Sequence, residues 1–309
     1  MLHAAEYKKS AGPHEVESLK LEWKDTKRDR AVPVKIYLPK SAGPFPLIIF
    51  SHGLGGSRDG YEYLGRHWAS HGYVCVHLQH HGSDSALWVG KGYDQAALRK
   101  AASDPKNAAD RPQDVHFAID ELTKLNASDS QLKGRLDLNN IGMAGHSFGA
   151  YTTMAVAGQI FVTAAGRELS ATEPRIKAAI AMSSQAPKNR DTFARSYGSI
   201  TVPMLHLTGT KDSSPVDPTI KADDRRVAFD HSVKSERYLV VFDGGDHMLF
   251  ALKPRNKDDE RRHELILMST MAFWDAYLMG DAKAKSWLAD EFAKELGRAG
   301  TFEQKARVK

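Results

Sequence analysis

The most constraining stretch of this chain is residues 139–150, which read Asn-Asn-Ile-Gly-Met-Ala-Gly-His-Ser-Phe-Gly-Ala. An apolar strand runs here into Gly-x-Ser-x-Gly, and a helix of small, uncharged residues follows from about Tyr151. A serine at a tight corner between strand and helix is strained, and its hydroxyl is held out of the sheet. Gly145 and Gly149 have no Cβ, so strand and helix can close around Ser147. The stretch therefore predicts a positioned serine hydroxyl in an α/β fold.

Strands and helices alternate along most of the remaining chain. Residues 17–23 and 31–38 have a period of two and predict an antiparallel edge pair, with Pro33 keeping the second strand near an edge. This alternation predicts a doubly wound, mostly parallel sheet in a single domain over residues 1–309. Further strands are predicted at 45–50, 73–78, 176–182, 202–207 and 236–242, and helices at 59–72, 114–125, 264–278 and 282–296.

A long connection and the two chain termini are predicted to be irregular. Residues 79–112 contain Trp88, Tyr93 and several glycines, and we expect them to form a long irregular connection that is part of the site wall. The termini, about 1–15 and 300–309, are expected to be loose.

Charge and cysteine content exclude several classes of protein. The chain has a formal net charge of +5, but its basic residues alternate with acidic ones, as in 24–30 and 257–262. This pattern is typical of a solvated surface, so no nucleic-acid partner is expected. Cys75 is the single cysteine, which excludes a disulfide within the chain and an all-cysteine metal site.

No membrane segment or targeting signal is predicted. Residues 141–166 contain no Asp, Glu, Lys or Arg and are long enough to cross a bilayer. However, His146, Gln159 and the serine turn lie inside this stretch, which favours a buried helix of an α/β domain. No basic start followed by an apolar run indicates a signal peptide, so we expect a soluble protein, cytoplasmic as it stands unless it is an exported mature form.

The serine needs a general base, because a serine hydroxyl is a poor nucleophile at neutral pH. The carboxyl ends of parallel strands meet at one edge of a sheet, so the base should directly follow a strand. His247 does so, in a Gly-Gly-Asp-His loop after the last predicted strand. The position of other histidines argues against them: His77 and His206 lie within strands, His263 lies on a helix, and His146 adjoins the serine. His247 is therefore the predicted base.

The base in turn needs a carboxylate that fixes its tautomer. Asp212 follows the strand at 202–207 and is the predicted partner. Asp217, in the same loop, and Asp243, at the end of the last strand, are the alternatives; Asp246 is adjacent to the histidine and poorly placed. Two backbone N–H groups should complete the site as an oxyanion hole. We expect them from Phe148, directly after the nucleophile, and from Leu54 in the glycine-rich loop after the strand at 45–50.

These motifs resemble those of the α/β-hydrolase superfamily, and within it the dienelactone-hydrolase-like esterases, a group that includes platelet-activating factor acetylhydrolases and cutinase-like polyester hydrolases. The resemblance extends from about Pro44 to the last helix. It implies an α/β-hydrolase fold and a serine carboxylic-ester hydrolase that acts on a small-molecule or polymeric ester without metal or organic cofactor. The motifs that carry it are residues 51–57 (SHGLGGS), 69–74 (ASHGYV), Arg111-Pro112-x-Asp114, 145–149 (GHSFG), 209–212 (GTKD) and 245–247 (GDH).

Two departures from these relatives narrow the expectation. Acetylhydrolases place their acidic residue after the strand that here ends in Met182-Ser183-Ser184, and no acid stands there. The absence of an acid there weakens the interpretation of the chain as a lipid acetylhydrolase and favours Asp212 as the acidic residue. Ser147 replaces the cysteine nucleophile of dienelactone hydrolases, so lactone specificity is not implied.

The substrate region is less well defined by the sequence. Only about twenty residues separate the strands at 176–182 and 202–207, too few for a large cap domain. Trp88, Tyr93, Met248 and Phe250 are candidates for the lining of an open site, although each could equally be core packing. Amidase, peptidase or thioesterase activity of the same machinery remains an alternative, as does a catalytically inactive binding protein. The sequence leaves the oligomeric state open.

A cluster of histidines near the strand predicted at 73–78 is a candidate metal site. His77, His80 and His81 lie close together in the sequence, but no matching carboxylate or cysteine spacing accompanies them. Structural or rim histidines are the better interpretation, and no metal is expected.

Overall fold

A computed structural model describes residues 7–90, 92, 94–163, 165–187 and 189–308. The strands in this part of the chain form one nine-stranded sheet and one small hairpin. The strands are β1 (Val16–Asp25), β2 (Arg30–Pro39), β3 (Phe45–Ser51), β4 (Val74–Leu78), β5 (Leu136–His146), β6 (Ile160–Val162), β7 (Glu168–Ser170), β8 (Ile176–Met182), β9 (Met204–Lys211), β10 (Arg237–Asp246) and β11 (Gly300–Lys305).

The large sheet has the strand order β1-β2-β4-β3-β5-β8-β9-β10-β11. Neighbouring strands from β4 to β10 are parallel, whereas β1 with β2, β2 with β4 and β10 with β11 are antiparallel. The predicted doubly wound sheet and its antiparallel N-terminal edge are therefore confirmed. Because β3, β5, β8, β9 and β10 are all parallel, the segments that follow them lie at one edge of the sheet.

Helices cover both faces of this sheet, and each face has its own apolar core. On one face, Trp68 packs edge-to-face on Trp274 with ring centroids 5.8 Å apart. A π-helical turn, Trp287–Glu291, joins the last two helices, where one continuous helix was predicted. The helices are α1 (Glu62–Ser70), α2 (Gln95–Ser103), α3 (Pro105–Ser128), α4 (Phe148–Ala157), α5 (Phe193–Tyr197), α6 (Val227–His231), α7 (Lys257–Leu278), α8 (Ala282–Ser286) and α9 (Phe292–Leu296).

The prediction of an irregular connection over residues 79–112 is wrong for its second half, which contains α2 and the first two turns of α3. The side chains of Asp94 and Asp104 accept hydrogen bonds from backbone N–H groups at the starts of these helices, and Pro105 is the first residue of α3. Aspartate caps and proline at the first position are ordinary helix starts, so the sequence held this signal. Helix α3 also continues through Pro112, where a boundary was expected.

The termini are also more ordered than expected. Residues 300–305 form β11, which pairs with β10, and the ring of Phe302 stacks on Tyr238 with centroids 6.1 Å apart. The polar tail is thus an edge strand with one face covered. Near the other end, the hydroxyl of Tyr7 donates a 2.6 Å hydrogen bond to Asp275 of α7. Residues 300–305 thus form a strand where a loose tail was expected, and Tyr7 is tied to α7.

The connection between β8 and β9 contains a short 3-10 turn and the five-residue helix α5. No large cap is inserted there, as predicted. Of the helices that the structure describes, none has both the length and the apolar content required to cross a bilayer.

Candidate active site

Ser147 lies at the corner between β5 and α4, with φ 56° and ψ −115°. A positive φ is rare for a serine, and such strained corners are typical of nucleophile turns. A Cβ on Gly145 would lie 2.3 Å from the carbonyl oxygen of Gly149, and a Cβ on Gly149 would lie 1.8 Å from that of Ser51. Both positions therefore require glycine. The backbone N–H of Ser147 donates to the carbonyl of Met182, which fixes the corner against β8.

His247 and Asp212 reach this serine from the ends of β10 and β9. The Nε2 atom of His247 lies 2.9 Å from Ser147 Oγ, and its Nδ1 atom lies 2.7 Å from Asp212 Oδ1. Thr208 donates a 2.8 Å hydrogen bond to the other carboxylate oxygen. All of these side chains are buried, so water competes little for the bonds. The structure thus brings together the three side chains that the sequence selected.

The alternative acids are engaged elsewhere. Asp217 accepts hydrogen bonds from the backbone and side chain of Thr219, and Asp243 is 3.4 Å from the hydroxyl of Thr210. Asp246 pairs with Arg255 at 2.6 Å. Asp212 is the carboxylate that lies in hydrogen-bonding contact with the histidine.

Arg225 is a buried residue beside this group that the sequence reasoning missed. Its Nε donates to the carbonyl of Asp212 at 3.0 Å and lies 3.4 Å from the Oδ1 atom of the same residue. Its Nη1 donates to the carbonyls of Ser183 and Ser184, just after β8, and its Nη2 lies 3.3 Å from His247 Nδ1. One guanidinium therefore joins the ends of β8, β9 and β10. Arg225 sits in a run of charged residues that looks like surface, so no pattern pointed to it.

The charge of Arg225 affects the acid directly. Burial raises the pKa of the Asp212 carboxyl, but the hydrogen bond to His247 and the charge of Arg225 outweigh it, so the pKa is lowered overall. Asp212 is therefore ionised at neutral pH despite its burial.

The two predicted oxyanion-hole donors lie in different elements, one directly after the nucleophile and one in the loop after β3. Phe148 is the first residue of α4, and Leu54 is in the loop after β3. Within the described part of the chain, neither backbone N–H donates a hydrogen bond. A Cβ placed on Gly53 would lie 3.4 Å from the Cβ of Ser147, so the loop closely approaches the nucleophile. Both N–H groups are therefore free to bind an oxygen atom.

The predicted substrate-lining residues that the structure describes differ in their exposure. Trp88 is 42% exposed, and its indole N–H donates to the carbonyl of Gly55 in the loop after β3. Met248 is 37% exposed beside the histidine. Phe250 has no exposed surface and packs in the core, so its prediction as a lining residue is wrong. Tyr93 lies outside the described residues.

A cavity of about 1000 Å³ opens beside α4, and its described lining does not include Ser147, Asp212 or His247. Tyr151 lines it, and the backbone N–H of this residue donates to the carbonyl of Ser147 one helical turn earlier. The other walls come from α2 and from the loops after β8 and β9. Such loops have no hydrophobic period, so their side chains could not be assigned to a wall from sequence. Aromatic and charged residues of these walls include Phe161, Phe193, Arg99, Arg190 and Asp224.

The clustered histidines near β4 have structural partners. His77 contacts the carbonyl of Gly60 through Nδ1 at 3.1 Å, and His80 contacts Ser51 Oγ at 2.8 Å and Asp114 at 2.9 Å. Burial lowers the pKa of both imidazoles to about 4. Across the described residues, no group of three histidine, cysteine, aspartate or glutamate side chains is arranged to hold a metal ion.

Comparison with known proteins yields two family matches on successive parts of the chain. Residues 27–102 match the profile of a family described as platelet-activating factor acetylhydrolase, isoform II. Residues 107–256, which contain all three clustered side chains, match a family described as serine hydrolase (FSH1).

Three curated relatives with detectable similarity are named platelet-activating factor acetylhydrolase. The protein from Cavia porcellus is 24% identical over 300 residues, which cover 83% of this chain and 63% of that protein. The protein from Canis lupus familiaris is 23% identical, covering 67% of this chain and 48% of its own length. The protein from Bos taurus is 30% identical over 140 residues, 36% of this chain and 31% of its own. The chain thus spans less than two thirds of each of these relatives.

The sheet topology, the strained serine corner and these matches agree on one class. The chain has an α/β-hydrolase fold, and both families whose profiles it matches are families of hydrolases.

Proposed function

We propose that this protein hydrolyses carboxylic esters through an acyl-enzyme intermediate, with Ser147 as nucleophile, His247 as general base and acid, and Asp212 as the orienting carboxylate. The observation that carries the proposal is the continuous line of hydrogen bonds from Ser147 Oγ through both imidazole nitrogens to Asp212, at 2.9 and 2.7 Å. This is the spacing that a serine nucleophile and its base require.

In the first half of the reaction, Ser147 Oγ attacks the ester carbonyl carbon while its proton passes to His247 Nε2. The carbonyl π electrons move to the oxygen, and the N–H groups of Leu54 and Phe148 hold the resulting oxyanion. Asp212 accepts the bond from Nδ1 and stabilises the imidazolium. When the intermediate collapses, His247 returns the proton to the leaving alkoxide, and an alcohol departs.

In the second half, water attacks the acyl-enzyme and His247 accepts its proton. The same N–H groups stabilise the second tetrahedral intermediate, and its collapse releases the acid and restores Ser147. We place part of the substrate in the cavity lined by Tyr151, because this wall begins one turn after the nucleophile. The relatives are named acetylhydrolases, so we take an acetyl ester as the first substrate to test.

Hydrolysis of p-nitrophenyl acetate by Ser147→Ala tests the assignment. The change removes the nucleophile, and we expect kcat/KM to fall roughly 10⁴- to 10⁶-fold. Labelling by a fluorophosphonate should be lost as well, because it requires the same oxygen. The matched control is Ser213→Ala, an exposed serine beside the acid, which should keep full activity.

Retained turnover or labelling in folded Ser147→Ala would overturn the proposal. Two further substrates separate the alternatives: p-nitroacetanilide reports amidase activity, and a p-nitrothiophenyl acetate reports thioesterase activity. The proposal expects the oxygen ester to react faster than the anilide.

A further inference from the structure

Arg111 is a second buried arginine near the nucleophile, and the mechanism above does not use it. It lies on α3 and has no exposed surface. Its Nε donates to Thr152 Oγ1 at 3.0 Å, its Nη1 to Ser83 Oγ at 2.9 Å, and its Nη2 to Ser51 Oγ at 3.1 Å. Nη2 also donates to the carbonyl oxygen of His52.

These acceptors are all neutral oxygens. The nearby carboxylate of Asp114 instead accepts hydrogen bonds from Arg28 and Arg30 and contacts His80. Burial lowers the pKa of the Arg111 guanidinium to about 9, a shift that Asp114 opposes from a distance. A buried cation without a directly bonded carboxylate is costly to a fold. Its place in the structure therefore calls for an explanation other than stability.

Three of the four hydrogen-bond partners of Arg111, Ser51, His52 and Thr152, belong to the two segments that carry the oxyanion-hole donors. Ser51 and His52 directly precede Gly53 and Leu54 in the loop after β3. Thr152 lies on α4, whose first residue is Phe148, and the guanidinium carbon stands 4.4 Å from the centre of the Phe148 ring. One rigid, planar group thus contacts both segments at once.

Resting on the function proposed above, we propose that Arg111 is the positioning residue of the oxyanion hole. It fixes the loop at His52 and the start of α4 at Phe148, and so sets the spacing between the Leu54 and Phe148 N–H groups. Its positive charge lies behind these donors. The charge therefore stabilises the negative charge that develops on the substrate oxygen in front of them. An interaction of this kind acts on the transition state more than on bound substrate, so its loss should lower kcat rather than raise KM.

Arg111→Met tests this, with Arg237→Met as the matched control. Arg237 is also buried, donates to the carbonyls of Phe229, Ser235 and Ala306, and stands over the Phe229 ring, but it lies at the start of β10, opposite the active-site edge. With p-nitrophenyl acetate, we expect Arg111→Met to lower kcat about 30-fold or more with KM changed less than about threefold, since loss of one oxyanion donor costs about 10²- to 10³-fold. The control should keep kcat within about twofold.

A trifluoromethyl ketone, 1,1,1-trifluorobutan-2-one, supplies a readout that a merely structural role would not move. Ser147 Oγ forms a bond to its carbonyl carbon, the π electrons pass to the oxygen, and the proton passes to His247 Nε2, so the adduct carries the oxyanion. Inhibition should weaken in Arg111→Met by the same factor as kcat/KM, and stay unchanged in Arg237→Met.

Unchanged kcat and ketone affinity in folded Arg111→Met would overturn the inference, and so would an equal loss in the control. If Arg111→Met does not fold, Arg111→Lys decides, because lysine keeps the charge but cannot reach all of these acceptors. It should lower kcat and ketone affinity together by about tenfold, and full activity would contradict the proposal. If the Arg111 variants keep their kcat and ketone affinity while Ser147→Ala is inactive, only the role of Arg111 is contradicted. An active Ser147→Ala removes the proposed function itself.

Discussion

The two sides of Ser147 are each built around one buried arginine, but the two arginines have different surroundings. On the side of β8, β9 and β10, Arg225 lies 3.4 Å from the carboxylate of Asp212 and beside His247. On the side of β3 and α3, the hydrogen bonds that Arg111 donates to described residues go to hydroxyl and carbonyl oxygens.

In the proposed mechanism, the difference follows the charge that each side has to stabilise. On the first side, an imidazolium forms next to an ionised acid, and Arg225 keeps that acid ionised while holding three strand ends together. On the second side, negative charge appears on an oxygen that has no counterion of its own. Backbone N–H groups with a buried cation behind them suit that purpose, because the low local dielectric strengthens their effect. In this proposal, the pairing of Arg225 with Asp212 stabilises the acid and base, whereas Arg111, which has no directly bonded carboxylate, stabilises the oxyanion.

Asp212→Asn should give the largest effect on the acid–base side. The amide can present its NH2 group to His247 Nδ1, which then accepts a hydrogen bond instead of donating one, so the imidazole is left in the wrong tautomer. We expect kcat with p-nitrophenyl acetate to fall about 10⁴-fold, while the ketone adduct weakens less than it does in Ser147→Ala. Asp243→Asn, at the alternative acid beside Thr210, is the control and should keep its activity within about threefold. The assignment of the acid is lost if these two results are exchanged.

Arg225→Met should give a smaller loss of the same kind. Asp212 would lose its neighbouring positive charge, and the loops after β8, β9 and β10 would lose their common contact. A misplacement of about 1 Å costs roughly 10²-fold, so we expect kcat to fall about 10- to 100-fold. Because the charge of Arg225 helps to lower the pKa of Asp212, activity should also begin to fall at a higher pH on the acid side.

The adjacent Arg226 provides the control for this change. It is 39% exposed and pairs with Asp230 and Glu303 away from the site, so Arg226→Met should leave both kcat and the pH profile in place. A normal pH profile in Arg225→Met would show that Arg225 only fills space, and the contrast with Arg111 would then rest on packing rather than charge.

The sequence predicted the parts of this molecule that depend on local pattern. Ser147 and His247 could be selected because a Gly-x-Ser-x-Gly corner and a histidine directly after a strand have fixed places in a parallel sheet. The two arginines could not, because their importance depends on burial by elements distant in the chain. Arg225 contacts Ser183 across 42 positions and Arg111 contacts Ser51 across 60.

The same limit explains the errors in the fold. Edge strand β11 has polar residues on its outer side, and its pairing with β10 depends on a partner about sixty residues earlier in the chain. The Phe250 ring follows His247 closely, yet it points into the core. By contrast, α2 and α3 carried local starting signals at Asp94, Asp104 and Pro105, so this error came from treating Pro112 as a boundary.

The smallest expected effect is on the pH dependence of the free energy of unfolding. Each side of the site contains one buried imidazole that contributes to it. His206 lies in β9, and neither of its ring nitrogens has a hydrogen-bond partner among the described residues. Burial, with a contribution from the charge of Arg237, lowers its pKa to about 3. His80, on the oxyanion side, has a pKa lowered to about 4 by burial, but it keeps Ser51 and Asp114 as partners.

Both imidazoles are neutral in the folded protein and gain a proton on unfolding below about pH 6.5, their ordinary pKa. Their contribution to stability is therefore complete above that pH and is lost as pH falls toward the folded-state pKa, by about 1.4 kcal/mol per pH unit for each group. Between pH 6.5 and 5, the free energy of unfolding measured with urea should decrease by about 2 kcal/mol less in His206→Leu than in the unchanged protein. The activity of this variant should be unchanged. His80→Leu should flatten the same slope but also lower kcat, because it removes a contact with Ser51. His81 is exposed, so His81→Gln should change neither the pH dependence of stability nor kcat. Equal activity in the two Leu variants would mean that the polar contacts around Arg111 do not affect the reaction.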